Sequence, residues 1–197
     1  MKHLIYYKNQ MIKACQSLDI TNLEKIEKII YEKIKKNKQI FTCGNGGAAS
    51  VSNHFLCDFN KGIKISSNSK LKPKVISLSS DLENILAISN DISFEEIFKF
   101  QLENYYKRGD LLLTFSCSGT SKNILTVLKF AKLKGLTTIS FTGFASKKYQ
   151  KISDMNFNIG IKNYGISEDF FQIIMHMLSQ SIRSKFISKN SKKNVIL

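Results

Sequence analysis

From Gln39 onward the chain keeps one rhythm: a short apolar run closing on glycine or serine, then a longer stretch with helical spacing. The pattern predicts strands at 39–43, 75–79, 110–115, 137–142 and 155–159. Helices are predicted at about 48–60, 82–89, 94–106, 122–134 and 146–152, with Gly135 placed to stop the fourth of them. Strands that pair in parallel need a long crossover, and a helix supplies it. The fold class that satisfies this is α/β: a three-layer sandwich with a five-stranded parallel sheet and helices on both faces. Ligands are then expected beyond the carboxyl ends of the strands.

The first 37 residues read as a helical hairpin. Thr21-Asn-Leu-Glu24 has the form of a capping box, and Leu23, Ile26, Ile30 and Ile34 recur behind it at helical spacing. That apolar stripe needs a partner, either another subunit or the chain's own sheet. The segment 61–74 carries five lysines and no acid and reads as an exposed loop. A last helix is expected over 167–186, and the basic tail 187–197 is expected to fray. With 197 residues, 43% of them hydrophobic, and no linker or internal repeat, one domain spanning 1–197 is expected. No apolar run is long enough to span a membrane and the start lacks a signal peptide's apolar region, so a cytoplasmic protein without a membrane partner is expected.

Thirty basic residues against fifteen acidic ones give a net charge of +15, a balance that brings nucleic acid into consideration. Only Arg108 and Arg183 are arginines, however, and lysine offers point charges rather than the bidentate fork that reads guanine and phosphate. The charge therefore reads as a solvated lysine surface with no specific nucleic-acid partner. Cys15, Cys43, Cys57 and Cys117 form no CxxC pair, which argues against a zinc finger and a disulfide framework and fits reduced intracellular thiols.

Two strand ends carry loops suited to an anion. Cys43-Gly-Asn-Gly-Gly47 opens into a helix, and Ser116-Cys-Ser-Gly-Thr-Ser121 opens into another. Neither is a Walker loop, and the first fails the dinucleotide fingerprint at Ala49. Two such loops at one edge of a sheet describe a small phosphorylated ligand. A serine-rich cradle with no adjacent lysine suits a phosphoryl group that is held rather than transferred.

The histidines are His3, His54 and His176. His54 and Asp58, four residues apart on one predicted helix, share a face as a divalent metal or a base-plus-carboxylate pair requires. On the last helix Glu168, Gln172 and His176 form one polar stripe. Glu168 and His176 are separated by about 12 Å of rise, so a single metal reaches both only if the helix start bends. Ser167-Glu-Asp is the expected place for an irregular first turn.

These segments together resemble the sugar isomerase (SIS) domain family, and within it the phosphoheptose isomerases. The matching stretches are Cys43-Gly-Asn-Gly-Gly-Ala48 followed by His54 and Asp58, Ser80-Asp81, Asn90-Asp91, Ser116-Cys-Ser-Gly-Thr-Ser121, and Glu168 with His176. The resemblance implies isomerisation of D-sedoheptulose 7-phosphate to a manno-heptose 7-phosphate by a homotetramer with active sites between subunits, often with zinc. By the same resemblance Asn45, Gly46, Gly47, Asp58, Asn90, Asp91, Ser116, Cys117, Ser118, Ser121 and Glu168 hold the sugar phosphate. His54, Asp58, Glu168 and His176 surround the metal, and Asp58 and His176 act as catalytic base and acid/base partner. Four positions depart from the family pattern: Asp58 stands where Glu is usual, Glu168 for Gln, Ala48 for Ser and Cys117 for Thr. The alternative reading is a non-catalytic SIS protein, either a replication-initiator adaptor or a sugar-phosphate sensor. Retention of His54, Asp58, Glu168 and His176 together favours the enzyme.

Overall fold

A computed structural model describes residues 1–144 and 147–186. The predicted tail 187–197 lies outside the described residues. The strands are β1 (Gln39–Gly44), β2 (Lys74–Ser77), β3 (Leu111–Ser116), β4 (Thr137–Thr142) and β5 (Met155–Asn158). They form one parallel sheet in the order β2-β1-β3-β4-β5. The chain thus leaves β1 in one direction for β2 and returns to the other side of β1 for β3. This is the switch point at which a wound sheet opens a crevice.

Side chains alternate across the sheet as the strand repeat requires. Leu111, Leu113 and Phe115 join one buried cluster, packed with α2 (Ile20–Lys35), α3 (Gly47–Cys57) and α9 (Tyr164–Ser184). Leu112, with Phe41 and Cys43, faces α5 (Leu82–Asp91), α6 (Ile97–Tyr105) and α7 (Lys122–Leu133) on the other side. The apolar stripe of α2 is buried against its own domain. In contrast, α1 (Lys2–Gln16) leaves Leu4, Ile5 and Ile12 exposed. A short helix α8 (Lys147–Ile152) precedes β5. None of the described helices is long and apolar enough to cross a membrane.

Three expectations are corrected. The N-cap of α2 is Asp19, whose carboxylate accepts from Asn22 N at 3.0 Å, so Thr21 and Glu24 already lie inside the helix. The segment after α3 is not an open loop from Lys61: a π-helical turn (Asp58–Ile63) and a short helix α4 (Lys64–Ser66) carry the chain on. Phe59 and Ile63 are buried there, and burial of two such side chains stabilises by roughly 3–6 kcal/mol while Lys61 and Lys64 stay exposed to water. Finally, α9 begins at Tyr164, capped by Asn163 accepting from Ile166 N at 3.1 Å. Ser167–Asp169 therefore sits in regular helix, and the expected irregular turn is absent.

Candidate active site

The two anion loops meet at the switch point. Gly44 pairs with Phe115, so the loop after β1 and the loop after β3 leave adjacent strands side by side. Asn45 and Asn123 bridge them through a reciprocal pair of amide hydrogen bonds of 3.0 and 2.8 Å. Gly46 has φ +56, a conformation that only glycine adopts cheaply. In the second loop, Ser116 Oγ accepts from Gly119 N at 3.2 Å, and the buried Tyr149 hydroxyl donates to Ser121 O at 3.2 Å from beneath. Ser118 Oγ accepts from Thr120 N at 3.3 Å. Ser121 is the N-cap of α7 and makes no side-chain hydrogen bond to the helix's first turn, and the positive end of α7 adjoins the loop.

Glu168 sits over both loops. A Cβ on Gly47 would lie 2.2 Å from Glu168 Oε2, and Cys117 Sγ is 3.8 Å from Glu168 Oε1. Burial first, and the Glu168 charge second, push the Cys117 thiol up to about 12, so it stays protonated and donates weakly toward the carboxylate.

Farther along the same two helices is a second cluster. His54 Nε2 is 3.4 Å from Asp58 Oδ1, and His176 Nε2 is 3.8 Å from Asp58 Oδ2. The imidazole rings meet edge to face at 5.0 Å. Ser179 Oγ donates to Asp58 Oδ2 at 3.4 Å. Behind α3, the buried Ser52 hydroxyl joins Thr42 and Ser77 at 2.8 Å each, fixing the helix that carries His54 and leads into Asp58 to β1 and β2. A cleft of about 320 Å³ opens beside Asp58 and His176, walled by Lys61, Gly62, Gln180 and Arg183, which is room for a small ligand. A larger cavity of about 480 Å³ lies among lysines at the opposite, amino end of the sheet and has no histidine.

Ligand atoms of His54, Asp58 and His176 lie within 4.8 Å of one another. Two imidazoles and a carboxylate are a donor set for zinc with a further position open, and bonds of about 2.1 Å in a tetrahedron separate ligands by roughly 3.4 Å, near the 3.4 and 3.8 Å that separate the two rings from Asp58. Glu168 is not in this group. With α9 regular at its start, it stays two turns from His176 and meets the loops instead. Asn90 and Asp91 are also apart: exposed at the end of α5, they hydrogen bond to one another at 2.8 Å, and no bond among the described residues joins them to either loop.

Gln172 is the residue that sequence reasoning left unassigned. Its Nε2 lies 2.6 Å from His54 Nδ1 and 3.2 Å from His176 Nε2. Its position on the Glu168–His176 stripe, one turn before His176, was the available signal.

Residues 6–143 match the SIS domain family. The phosphoheptose isomerase of Helicobacter pylori (strain P12) is 30% identical over 189 residues, covering 96% of each chain. A phosphoheptose isomerase structure from Neisseria gonorrhoeae superimposes with a TM-score of 0.81 at 22% identity, covering 93% of this chain and 96% of that one. One from Francisella tularensis gives 0.80 at 21%, covering 93% and 95%. The two solved structures share the fold described above.

Proposed function

Because this chain belongs to the phosphoheptose isomerases of the SIS-domain family, we propose that it converts D-sedoheptulose 7-phosphate to D-glycero-D-manno-heptose 7-phosphate through an enediol, for surface-polysaccharide heptose. One observation carries the reading: the loops and the acid/base cluster lie at two ends of one stripe. Glu168, at the loops, and His176, in the cluster, are eight residues apart on α9, about 12 Å. A seven-carbon sugar phosphate, at roughly 1.2 Å per bond along an extended chain, spans about 10 Å from phosphorus to C1.

The phosphate is held by Ser116, Cys117, Ser118 and Ser121 at the start of α7, with Asn45, Gly46 and Gly47 beside it. The Glu168 carboxylate accepts from sugar hydroxyls between the two ends. Asp58 removes the proton from C1 and returns it at C2, while His176 passes the hydroxyl proton between O1 and O2. His54, Asp58 and His176 would hold a divalent cation, zinc in this reading, and that cation would supply several kcal/mol of stabilisation to the developing oxyanion.

Asn90 and Asp91 stand on a face where Leu82, Leu86, Ile92 and Phe94 are exposed. That apolar surface and the exposed side of α1 are the contacts of a homotetramer, in which Asn90 and Asp91 of one protomer complete a neighbour's site. Four free thiols, Cys15 and Cys57 among them exposed, suit the reducing cytoplasm.

The test is incubation of purified protein with sedoheptulose 7-phosphate, with and without a chelator and with zinc restored, followed by product analysis. Aldose 7-phosphate that disappears with chelation and returns with zinc is expected. No aldose in the zinc-loaded sample overturns the reading.

A further inference from the structure

The cavity of about 480 Å³ at the amino end of the sheet lies between the last turns of α2 and the segments that lead into β3 and β4. Lys28, Lys33, Lys36 and Lys38 line it, and Glu32, the acid among its described lining residues, is already paired with Lys35 at 3.5 Å. Two ammonium groups converge there on Gly109. Lys33 Nζ donates to Gly109 O at 2.6 Å and to Thr137 Oγ1 at 2.7 Å. Lys38 Nζ donates to Arg108 O at 3.0 Å, and a Cβ on Gly109 would lie 3.2 Å from it.

All of these acceptors are neutral. The two carboxylates whose fields reach Lys33 are engaged elsewhere: Asp110 accepts from Gln39 N and Lys107 N at 3.0 and 2.8 Å, and Asp154 pairs with Lys132 at 3.2 Å. Burial first, and then the Lys38 charge, hold the Lys33 ammonium below its ordinary value. Like charge is therefore gathered at Gly109 without an acid to offset it. Since an ammonium has three N–H donors, Lys33 keeps one and Lys38 two beyond their bonds to the protein.

A phosphate group supplies what is missing, with about −1.5 to −2 charge at pH 7 and three strong acceptor oxygens. The rest of the lining describes what the phosphate is attached to. Ile29 gives an apolar wall, and the Glu32 carboxylate can accept from hydroxyls. The volume is within the range of roughly 300–1,000 Å³ that holds an organic ligand and is far more than a bare phosphate fills.

We propose that this cavity is a second anion site, taking a hydroxyl-bearing phosphate ester of nucleotide size with its phosphate on Lys33 and Lys38. Nucleotides and sugar bisphosphates share that chemistry. The serine loop is at the other end of β3, six residues and about 20 Å away, so the two sites fill independently.

The experiment is titration calorimetry of the full chain at about 0.15 M salt with ADP, fructose 1,6-bisphosphate and inorganic pyrophosphate. NMR of ¹⁵N-glycine protein, with ten glycines to observe, locates the ligand. At least one ester is expected to bind once per chain and to shift Gly109 while Gly46, Gly47 and Gly119 stay unmoved; the tighter ester identifies the source. Lys38→Met should weaken binding by about tenfold and Lys33→Met/Lys38→Met by about a hundredfold. Lys70→Met/Lys72→Met, which removes the same charge from exposed positions, should change affinity by less than about twofold. Lys38→Met leaves the Lys33 tie between α2 and the sheet in place, so it is read even if the double variant does not fold.

No binding of either ester at about 1 mM overturns the proposal. So does a ligand that shifts the loop glycines and not Gly109, or equal weakening in Lys70→Met/Lys72→Met, which would mark the general lysine surface. Pyrophosphate binding as tightly as the better ester would overturn the assignment of an organic ligand.

Discussion

Asn45 and Asn123 face each other across the switch point and exchange two hydrogen bonds, Asn45 Nδ2 to Asn123 Oδ1 and Asn123 Nδ2 to Asn45 Oδ1. Asn123 is buried, and its Oδ1 also accepts from Ile124 N at 2.9 Å. The pair sets the distance between the two loops. Asn123→Leu removes both bonds and strands the Asn45 amide, at a cost of about 1–3 kcal/mol. A melting temperature lower by several degrees and a KM for the sugar phosphate raised by roughly tenfold are expected. A KM equal to that of the parent protein would detach this pair from ligand binding.

Asp58 and His176 carry the proton transfers in the proposed reaction. Asp58→Asn and His176→Gln keep size and hydrogen bonding while removing the base and the acid/base group. Each should lower kcat by about 10² to 10⁴ with an unchanged circular dichroism spectrum. Full turnover in either variant takes that residue out of the mechanism.

Gly47 gives Glu168 its place. An alanine methyl there would meet the carboxylate at 2.2 Å, and the flexible end of a glutamate side chain yields more easily than backbone. Gly47→Ala should therefore melt within a few degrees of the parent yet lose at least about tenfold in kcat/KM, because Glu168 is driven off the loops. Unchanged kcat/KM would show that the carboxylate's position is immaterial.

The cysteines should divide by reactivity. Burial pushes the Cys43 thiol far up, and burial with Glu168 raises Cys117 to about 12, so neither forms appreciable thiolate at pH 8. Cys15 and Cys57 are exposed. Iodoacetamide at pH 8 followed by peptide mass mapping should label Cys15 and Cys57 and spare the other two. Since a raised thiol value means reaction only as pH climbs toward it, Cys117 labelling should increase steeply above pH 10. Rapid labelling at pH 8 would contradict the buried, carboxylate-facing setting.

Strands were the most legible part of this chain because a buried parallel sheet demands apolar runs of limited length, and β1, β3 and β4 lie within a residue of where periodicity puts them. Helix starts were less so. Asp19 and Asn163 cap through single side-chain bonds, and a stronger-looking pattern at Thr21–Glu24 and a polar Ser167-Glu-Asp drew the boundaries inward. Lysine-rich composition hid the π-helical turn, where Phe59 and Ile63 decide the outcome by being buried. At the site, spacing along one helix places His54 beside Asp58, and that is local information. That Gln172 reaches His54, and that Glu168 faces Gly47 instead of His176, depends on how α3 and α9 lie against each other, which residue spacing within either helix does not encode.

The parallel pairing of β1 with β3 joins segments some seventy positions apart. In the proposed reading the phosphate needs both loops, so a nascent chain that has not yet delivered Ser121 would bind none, however well its amino-terminal part has folded. Occupancy by a sugar phosphate thus acts as a clamp on the completed topology, raising the melting point of the entire sheet with ligand concentration and giving fragments of it no protection.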